Sequence, residues 1–292
     1  MLIGAGGFVG PWIARALTRH GFSVIALTRR PVPQEQGVRA IIGDITVPGT
    51  VAEWIASADA VVFNAGYLPK NYADPAEADA CVRTNALAVL NVLASKPRTF
   101  VYISTAQGYA PLERAATESD AIFPAARATY YLGSKLLGEL YVEQYRLAHK
   151  LPATTLRLGA LYGPNLKTGM IANFVRQAGS RAPIVLQDGG RFSSDLTYVA
   201  DVGEAVAQAV LREASGIFNI GSGCRTSAIA AAGLVVRLLE ADPASITVAP
   251  AGPGPAPGFN ALDITRARRE LGLMPTSVDF GLAATVKNWN DQ

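Results

Sequence analysis

The 292-residue chain is poor in soft ligands: it has two cysteines, Cys81 and Cys224, and two histidines, His20 and His149. That excludes a disulfide scaffold and leaves too few donors for a Cys/His zinc site, so no metal is expected. Charge is also scarce. Only 17% of residues are Asp, Glu, Lys or Arg, and 26 basic against 23 acidic side chains leave +3. With no basic block of five or six residues, no nucleic-acid partner is expected. Long apolar runs are missing too. Ala228 to Val236, the longest uncharged apolar stretch of the C-terminal half, falls far short of the roughly 18 residues of a membrane span. No basic segment precedes the apolar start, which argues against a signal peptide and, with so little cysteine, favours a cytoplasmic protein. What the chain does have is 50% hydrophobic residues, enough for a real core. Its 28 Gly and 18 Pro are scattered without period, so neither disorder nor a collagen-like chain fits. At about 150 residues per domain, the length suggests one large domain or two small ones.

The first half alternates short β-branched runs with helical patterns. Strands are expected at 23–27, 60–63, 99–103, 154–158 and 216–220, and helices at about 8–20, 48–57, 77–95, 127–149, 201–213 and 226–240. Nearly continuous apolar strands separated by helices predict an α/β fold with a parallel sheet covered on both faces. The regularity breaks after Tyr162-Gly163-Pro164. The Pro/Gly-rich stretch 249–258 reads as a loop over a cleft.

A glycine run, Gly4-Ala5-Gly6-Gly7-Phe8-Val9-Gly10, opens the first helix. A tight strand-to-helix turn with free amides and the positive end of a helix dipole is a pyrophosphate site. The competing reading is a merely flexible start. Only Met1, Leu2 and Ile3 precede Gly4, a short stub for a central strand, so the native chain is expected to begin several residues earlier. After the second strand stands Thr28-Arg29-Arg30, where a carboxylate would bind the ribose of NAD. Arg29 or Arg30 could instead pair with a 2′-phosphate, which favours NADP(H) over NAD(H), unless both are ordinary surface charges. Asp44, beside Ile45, either contacts the adenine ring or caps the next helix.

Tyr131 and Lys135 stand four apart in Tyr131-Leu132-Gly133-Ser134-Lys135, on one face of a helix. A neighbouring ammonium is expected to lower the tyrosine pKa and make Tyr131 a general acid/base for an alcohol–ketone pair. Alone, such a pair also fits a solvated amphipathic helix. It gains weight beside Thr105, at the end of a strand where ligand crevices open. Thr105 could otherwise be a simple capping residue.

Together these residues resemble the extended short-chain dehydrogenase/reductases, the NAD(P)-dependent epimerase/dehydratase group. The resemblance rests on Gly4-x-x-Gly7-x-x-Gly10, Asn64-Ala65-Gly66, Asn85, Thr105, Tyr131 and Lys135. It extends through Tyr162-Gly163-Pro164, the segment 195–202, Phe218-Asn219-Ile220-Gly221 and the segment 262–272. It implies a Rossmann-type doubly wound sheet (1–164 plus 191–221) interleaved with a small substrate-binding cap (165–190 plus 222–292). It also implies Thr105, Tyr131 and Lys135 as the catalytic set. Cofactor contacts are expected from Gly4, Gly6, Gly7, Phe8, Val9, Gly10, Thr28, Arg29, Arg30, Asp44, Ile45, Asn64, Ala65, Gly66, Asn85, Lys135 and Leu158. Substrate contacts are expected from Thr105, Gln107, Tyr131, Ala160, Arg191 and Tyr198; Met170, Phe174, Phe192 and Tyr198 either line the cleft or, as such residues more often do, belong to the core. The competing reading for Asn64 and Asn85 is a merely structural role, capping or kinking backbone. A homodimer through helices 77–95 and 127–149 is expected from the same resemblance.

Departures narrow the expectation. Ala160 stands where nucleotide-sugar members usually carry Asn, and Ser194 where they tend to carry Arg. Arg191 is the nearest substitute. Thr105-Ala106-Gln107 lacks the acidic pair of the 4,6-dehydratases. The leading expectation is therefore an NADPH-dependent ketoreductase on a small carbonyl compound or keto-sugar. A sugar epimerase, in which hydride leaves and returns, is the alternative, and a non-catalytic NADP-binding protein stands third.

Overall fold

Two-sided burial dictates the architecture. The computed structural model describes residues 1–31, 35–47, 49, 51–72, 74–122 and 129–289. Its strands are β1 (Leu2–Ile3), β2 (Val24–Thr28), β3 (Val38–Ile42), β4 (Val61–Phe63), β5 (Phe100–Thr105) and β6 (Ala153–Leu158), then β7 (Ala160–Tyr162), β8 (Ile184–Leu186), β9 (Ser193–Tyr198), β10 (Gly216–Ile220), β11 (Arg225–Ser227) and β12 (Ile246–Val248). Seven of them form one parallel sheet in the order β10-β6-β5-β4-β1-β2-β3. Successive side chains enter opposite layers, as a pleated strand requires. Leu2, Val62, Val101, Ile103 and Leu156 join one core with helices α1 (Gly10–Arg19) and α7 (Val199–Leu211). Ile3, Phe63, Phe100 and Tyr102 join the other, with α2 (Ala52–Ala56), α4 (Ala88–Ala94) and α5 (Tyr130–His149). The chain therefore has a Rossmann-like, doubly wound α/β fold.

β1 has two residues, both buried, and pairs with β2 on one side and β4 on the other. The Met1 ammonium donates to the Ala60 carbonyl at 2.6 Å. Burial pulls its pKa from 8.0 down to about 6, against the smaller opposing pull of Asp59.

A third core gathers residues after Tyr162. It includes α6 (Met170–Gly179), α8 (Ala228–Leu238) and α10 (Val278–Lys287), with β8 and β9. α9 (Thr265–Leu271) packs instead with the sheet, through Ala267 and Leu271. Two small sheets, β11-β9-β7 and β12-β8, complete this part. Ser227 and Ser277 cap α8 and α10 through their side-chain oxygens. Among the described residues, no helix is long and apolar enough to cross a membrane.

The five expected strands lie within two residues of β2, β4, β5, β6 and β10 at each end. The expected helix 77–95 is not uniform. It starts as α3 (Ala78–Val82), passes through a π-helical turn at Arg83–Leu87, and resumes as α4. Positions 48 and 50 of the helix expected at 48–57, and 127–128 of that at 127–149, lie outside the described residues, as do 290–292 of the expected cap. The stretch 249–258 forms a loop, without helix or strand.

Candidate active site

The glycine run folds as a tight turn between β1 and α1. Its own bonds use the amides of Gly4 and Ala5, both to the Leu27 carbonyl, and of Gly7 and Gly10. Gly4 has φ +87°, and a Cβ there would lie 2.5 Å from the Ala65 nitrogen. A Cβ on Gly10 would lie 2.1 Å from the Ala5 carbonyl oxygen. Neither position admits a side chain. The turn floors a crevice of about 520 Å³ lined by Gly4, Gly6, Gly7, Thr28, Arg29, Arg30, Asp44, Ile45, Asn64, Ala65 and Gly66. The N-terminus of α1, with no acidic residue in its first turn, brings its positive end here. Bare backbone beside a helix N-terminus fits the pyrophosphate of a dinucleotide.

Asp44 resolves one open choice. Its carboxylate accepts from the Thr46 amide at 2.8 Å and the Thr46 hydroxyl at 2.7 Å, which holds its pKa below the usual range. It makes a local turn rather than capping α2, and it faces the crevice. Asn64 donates to the Gly4 carbonyl at 3.0 Å and so ties β4 to the glycine turn.

At the end of β5, Thr105 Oγ1 accepts from the Gln107 amide at 3.3 Å, which leaves its own O–H to donate elsewhere. Lys135 is buried, donates from Nζ to the Ile103 carbonyl at 2.9 Å, and stands 4.9 Å from the Tyr102 ring centre. Burial lowers its pKa to about 8, with the Glu139 carboxylate pulling it back up. Tyr131 shares that helix face, but its ring packs edge-on against Tyr72, centroids 6.0 Å apart. Burial raises its pKa well above 10, and Tyr72 and Cys81 add to that. The expected lowering by Lys135 is therefore absent: burial, Tyr72 and Cys81 all act upward, and the ammonium is directed to the Ile103 carbonyl and the Tyr102 ring. Tyr131 stands here as a neutral phenol, a proton donor.

Several expected contacts are placed elsewhere. Phe8, Val9, Gly10, Asn85, Lys135 and Leu158 do not line the crevice. Val9, Gly10 and Leu158 are buried, and Phe8 packs against the sheet core. Asn85 is fully buried in the π-helical turn. It accepts from the Tyr67 amide at 2.8 Å and donates to the Tyr67 carbonyl and to Ser134 Oγ. Its amide is consumed by structure. Tyr198 is buried among Trp12 and Tyr162, and Phe174 is in the third core, so neither faces a cleft. Met170 and Phe192 pack half-buried on that core. Arg191 spends its guanidinium on Asp188 Oδ1 and the carbonyls of Gly252 and Gly254, pinning the 249–258 loop. Ala160 lies half-buried in β7, and Gln107 sits half-buried in the short turn after Thr105.

The crevice also takes in Ile3, Leu27, Pro31, Gly43, Thr46 and Thr84, which sequence reasoning missed. Gly43 and Thr46 flank Asp44 and were within reach of that signal. Thr84 faces the crevice from the π-helical turn, which no 3.6-residue period reveals. Beneath Thr105 lies a buried polar array of Ser104, Tyr109, Glu139 and Arg157, whose one signal was an arginine inside an apolar strand.

Comparison with known proteins gives a consistent picture. The profile of the NAD dependent epimerase/dehydratase family matches residues 1–221. A dTDP-6-deoxy-L-talose 4-dehydrogenase (NAD(P)(+)) of Kitasatospora kifunensis is 30% identical, with 94% of this chain and 90% of that protein covered. A UDP-glucose 4-epimerase of Mycolicibacterium smegmatis is 26% identical, with 98% and 97% covered. Among solved structures, MoeE5 in complex with UDP-glucuronic acid and NAD superposes with a TM-score of 0.86 at 23% identity, covering 99% of this chain and 98% of that one.

Proposed function

The chain belongs to the NAD dependent epimerase/dehydratase family, and from that premise we propose that it epimerises a ring hydroxyl of a nucleotide-linked sugar through a transient ketone. It is an NAD(P)-dependent enzyme of the extended short-chain dehydrogenase/reductase type. One observation carries the reading. Gly66 lines the dinucleotide crevice, and a Cβ built on it would lie 3.5 Å from Lys135 Nζ. Crevice and reactive cluster thus meet at one point, at the strand ends. The curated relatives matched over nearly their whole length act, by their names, on nucleotide-linked sugars. That favours such a sugar over the free carbonyl compound expected from the sequence.

A nicotinamide dinucleotide, when bound, supplies the oxidising and reducing equivalents. Gly4, Gly6, Gly7, Arg29, Arg30 and Asp44 would hold it. The two arginines in this crevice, with no carboxylate next to them in the sequence and Asp44 held in its own turn by Thr46, support NADP(H) as the preferred form. In our reading Tyr131 moves a proton at the reacting oxygen, Thr105 donates a hydrogen bond to the same oxygen, and Lys135 keeps positive charge beside it. Residues 165–190 and 222–292 would form the substrate lobe. The exposed Leu87 and Leu90, with Leu140 and Leu147 on α5, support a homodimer through these helices.

A second reading, reduction of a keto-sugar, is favoured by the neutral Tyr131 phenol and by the dehydrogenase relative. One experiment separates them: incubate the enzyme with UDP- and dTDP-sugars and follow anomeric protons by NMR alongside the absorbance of reduced cofactor. Interconverting epimers without net cofactor change support epimerisation. Stoichiometric NADPH consumption on a 4-keto sugar supports reduction. No conversion of any nucleotide-linked sugar overturns both. Tyr131→Phe should remove most turnover while cofactor affinity stays near normal, because the phenol acts mainly in the transition state.

A further inference from the structure

Lys135 poses an energetic problem that its assigned partners do not solve. A buried ammonium has three N–H donors. One goes to the Ile103 carbonyl, and the Tyr102 ring face offers a cation–π contact at 4.9 Å. Tyr102 brings no charge, since burial holds its phenol protonated and its O–H donates to the Asn85 carbonyl. Gly66 and Asn85, on the far side, are neutral. Uncompensated, such an ammonium loses its proton.

Among the described residues, the carboxylate that acts on it is Glu139, one helical turn on along α5 and equally buried. That carboxylate is fixed. Ser104, on β5, donates to its Oε1. Arg157, on β6, donates to Oε2 from Nε at 3.0 Å and from Nη2 at 2.7 Å. Arg157 is itself held by Tyr109, whose O–H donates to Asn219, and by the Glu118 carbonyl. A cavity of about 20 Å³ joins Ser104, Thr105, Lys135, Glu139 and Arg157, and roughly 10–15 Å³ suffices for one water. Lys135 and Arg157 bring two positive charges to this cavity and Glu139 one negative. A lone Glu139–Arg157 pair would need no third member. Thr105 is part of its wall.

We propose that Glu139 is a positioning residue of the active site: it is the counter-ion that keeps Lys135 charged and seated, while Arg157 and Ser104 hold the carboxylate in place. Arg157 limits the effect by sharing the same carboxylate. Removing either partner therefore moves Lys135 in opposite directions. The bearing on turnover rests on the reading of Lys135 given above; the charge state of Lys135 does not.

The chain has six lysines, of which Lys135 alone is buried, so its side chain is resolvable by NMR after isotopic labelling of lysine. Wild type should titrate with a midpoint of about 8. In Glu139→Gln the midpoint should fall by about one unit or more, a tenfold loss of proton affinity. In Arg157→Met, where Glu139 answers to Lys135 alone, it should rise. A purely structural pair predicts two destabilised variants with unmoved midpoints, and that result overturns the proposal. If Glu139→Gln fails to fold, Glu139→Gln/Arg157→Met removes both charges and should still lower the midpoint; an unchanged midpoint there refutes it equally. Under the functional reading the basic limb of the pH–rate profile follows the NMR midpoint. An NMR shift without a change in the profile would keep the counter-ion and discard the role of Lys135 in turnover.

Discussion

Asn85 lends itself to a calculation. Leucine matches its shape closely enough to leave no cavity, so Asn85→Leu isolates the polar contacts. Three are lost: from the Tyr67 amide at 2.8 Å, to the Tyr67 carbonyl at 3.1 Å and to Ser134 Oγ at 2.9 Å. Tyr67 is half-buried, so its two orphaned backbone groups fall at the lower end of the roughly 1–3 kcal/mol that each unsatisfied group costs. The sum is about 3 kcal/mol. With a melting entropy of about 2.1 cal/mol/K per residue, the 292 residues give roughly 0.6 kcal/mol per degree. Thermal denaturation followed by circular dichroism should therefore show a Tm about 5 °C below wild type. Binding should suffer as well. Tyr67 anchors the segment that lays Gly66 between the crevice and Lys135. Cofactor titration well below the Tm should show weaker affinity even where the variant is fully folded. A Tm within about 1 °C of wild type would mean that water replaces Asn85 at no loss, and the reasoning would fail.

Three further outcomes follow from other parts of the fold. Gly10→Ala puts a methyl group 2.1 Å from the Ala5 carbonyl, so the turn must move; we expect a loss of about 2–3 kcal/mol and weakened cofactor binding, and a melting curve superimposable on wild type would contradict this. Arg29→Ala or Arg30→Ala should raise the Kd for NADPH about tenfold while leaving NADH binding nearly unchanged; an unaltered preference in both variants would show that the arginines are surface charges. In the chain beginning at Met1, the amine has a folded pKa of about 6 against 8.0 unfolded. The unfolded state takes up the proton first as pH falls, so stability drops between pH 8 and 6 by about 2–3 kcal/mol. N-terminal acetylation should abolish that component in denaturant titrations at the two pH values. Equal pH dependence of the acetylated and free forms would show that the amine is not buried.

Much of the sheet is legible locally because its strands are apolar runs closed by turns, and the cofactor crevice because only glycine fits at Gly4 and Gly10. The C-terminal part is not. β7, β8, β11 and β12 have three residues each, too short to carry a period. β9 reads as polar, Ser193 to Tyr198, yet all six residues are buried. Its Asp195 is accommodated by the amides of Ser222, Gly223 and Leu262, which lie 27 to 67 residues away. A local pattern sees the polarity of Asp195 and none of its partners. The same holds for Arg157, whose charge within a strand makes sense only once α5 brings Glu139 across.

The limit is sharpest at the reactive pair itself. Spacing of four places Tyr131 and Lys135 on one helix face, and they are there. Sharing a face does not make them share a field. Tyr131 takes its environment from Tyr72 and Cys81, and Lys135 takes its own from Ile103, Tyr102 and Glu139. The protonation of each is therefore decided by elements that approach from other parts of the chain: the segment carrying Tyr72, the end of β5, and β6 through Arg157 and Glu139. Sequence spacing identifies which groups can react. Which of them carries the proton follows from what surrounds each, and of the polar, charged and aromatic groups named around the pair only Glu139 lies on α5.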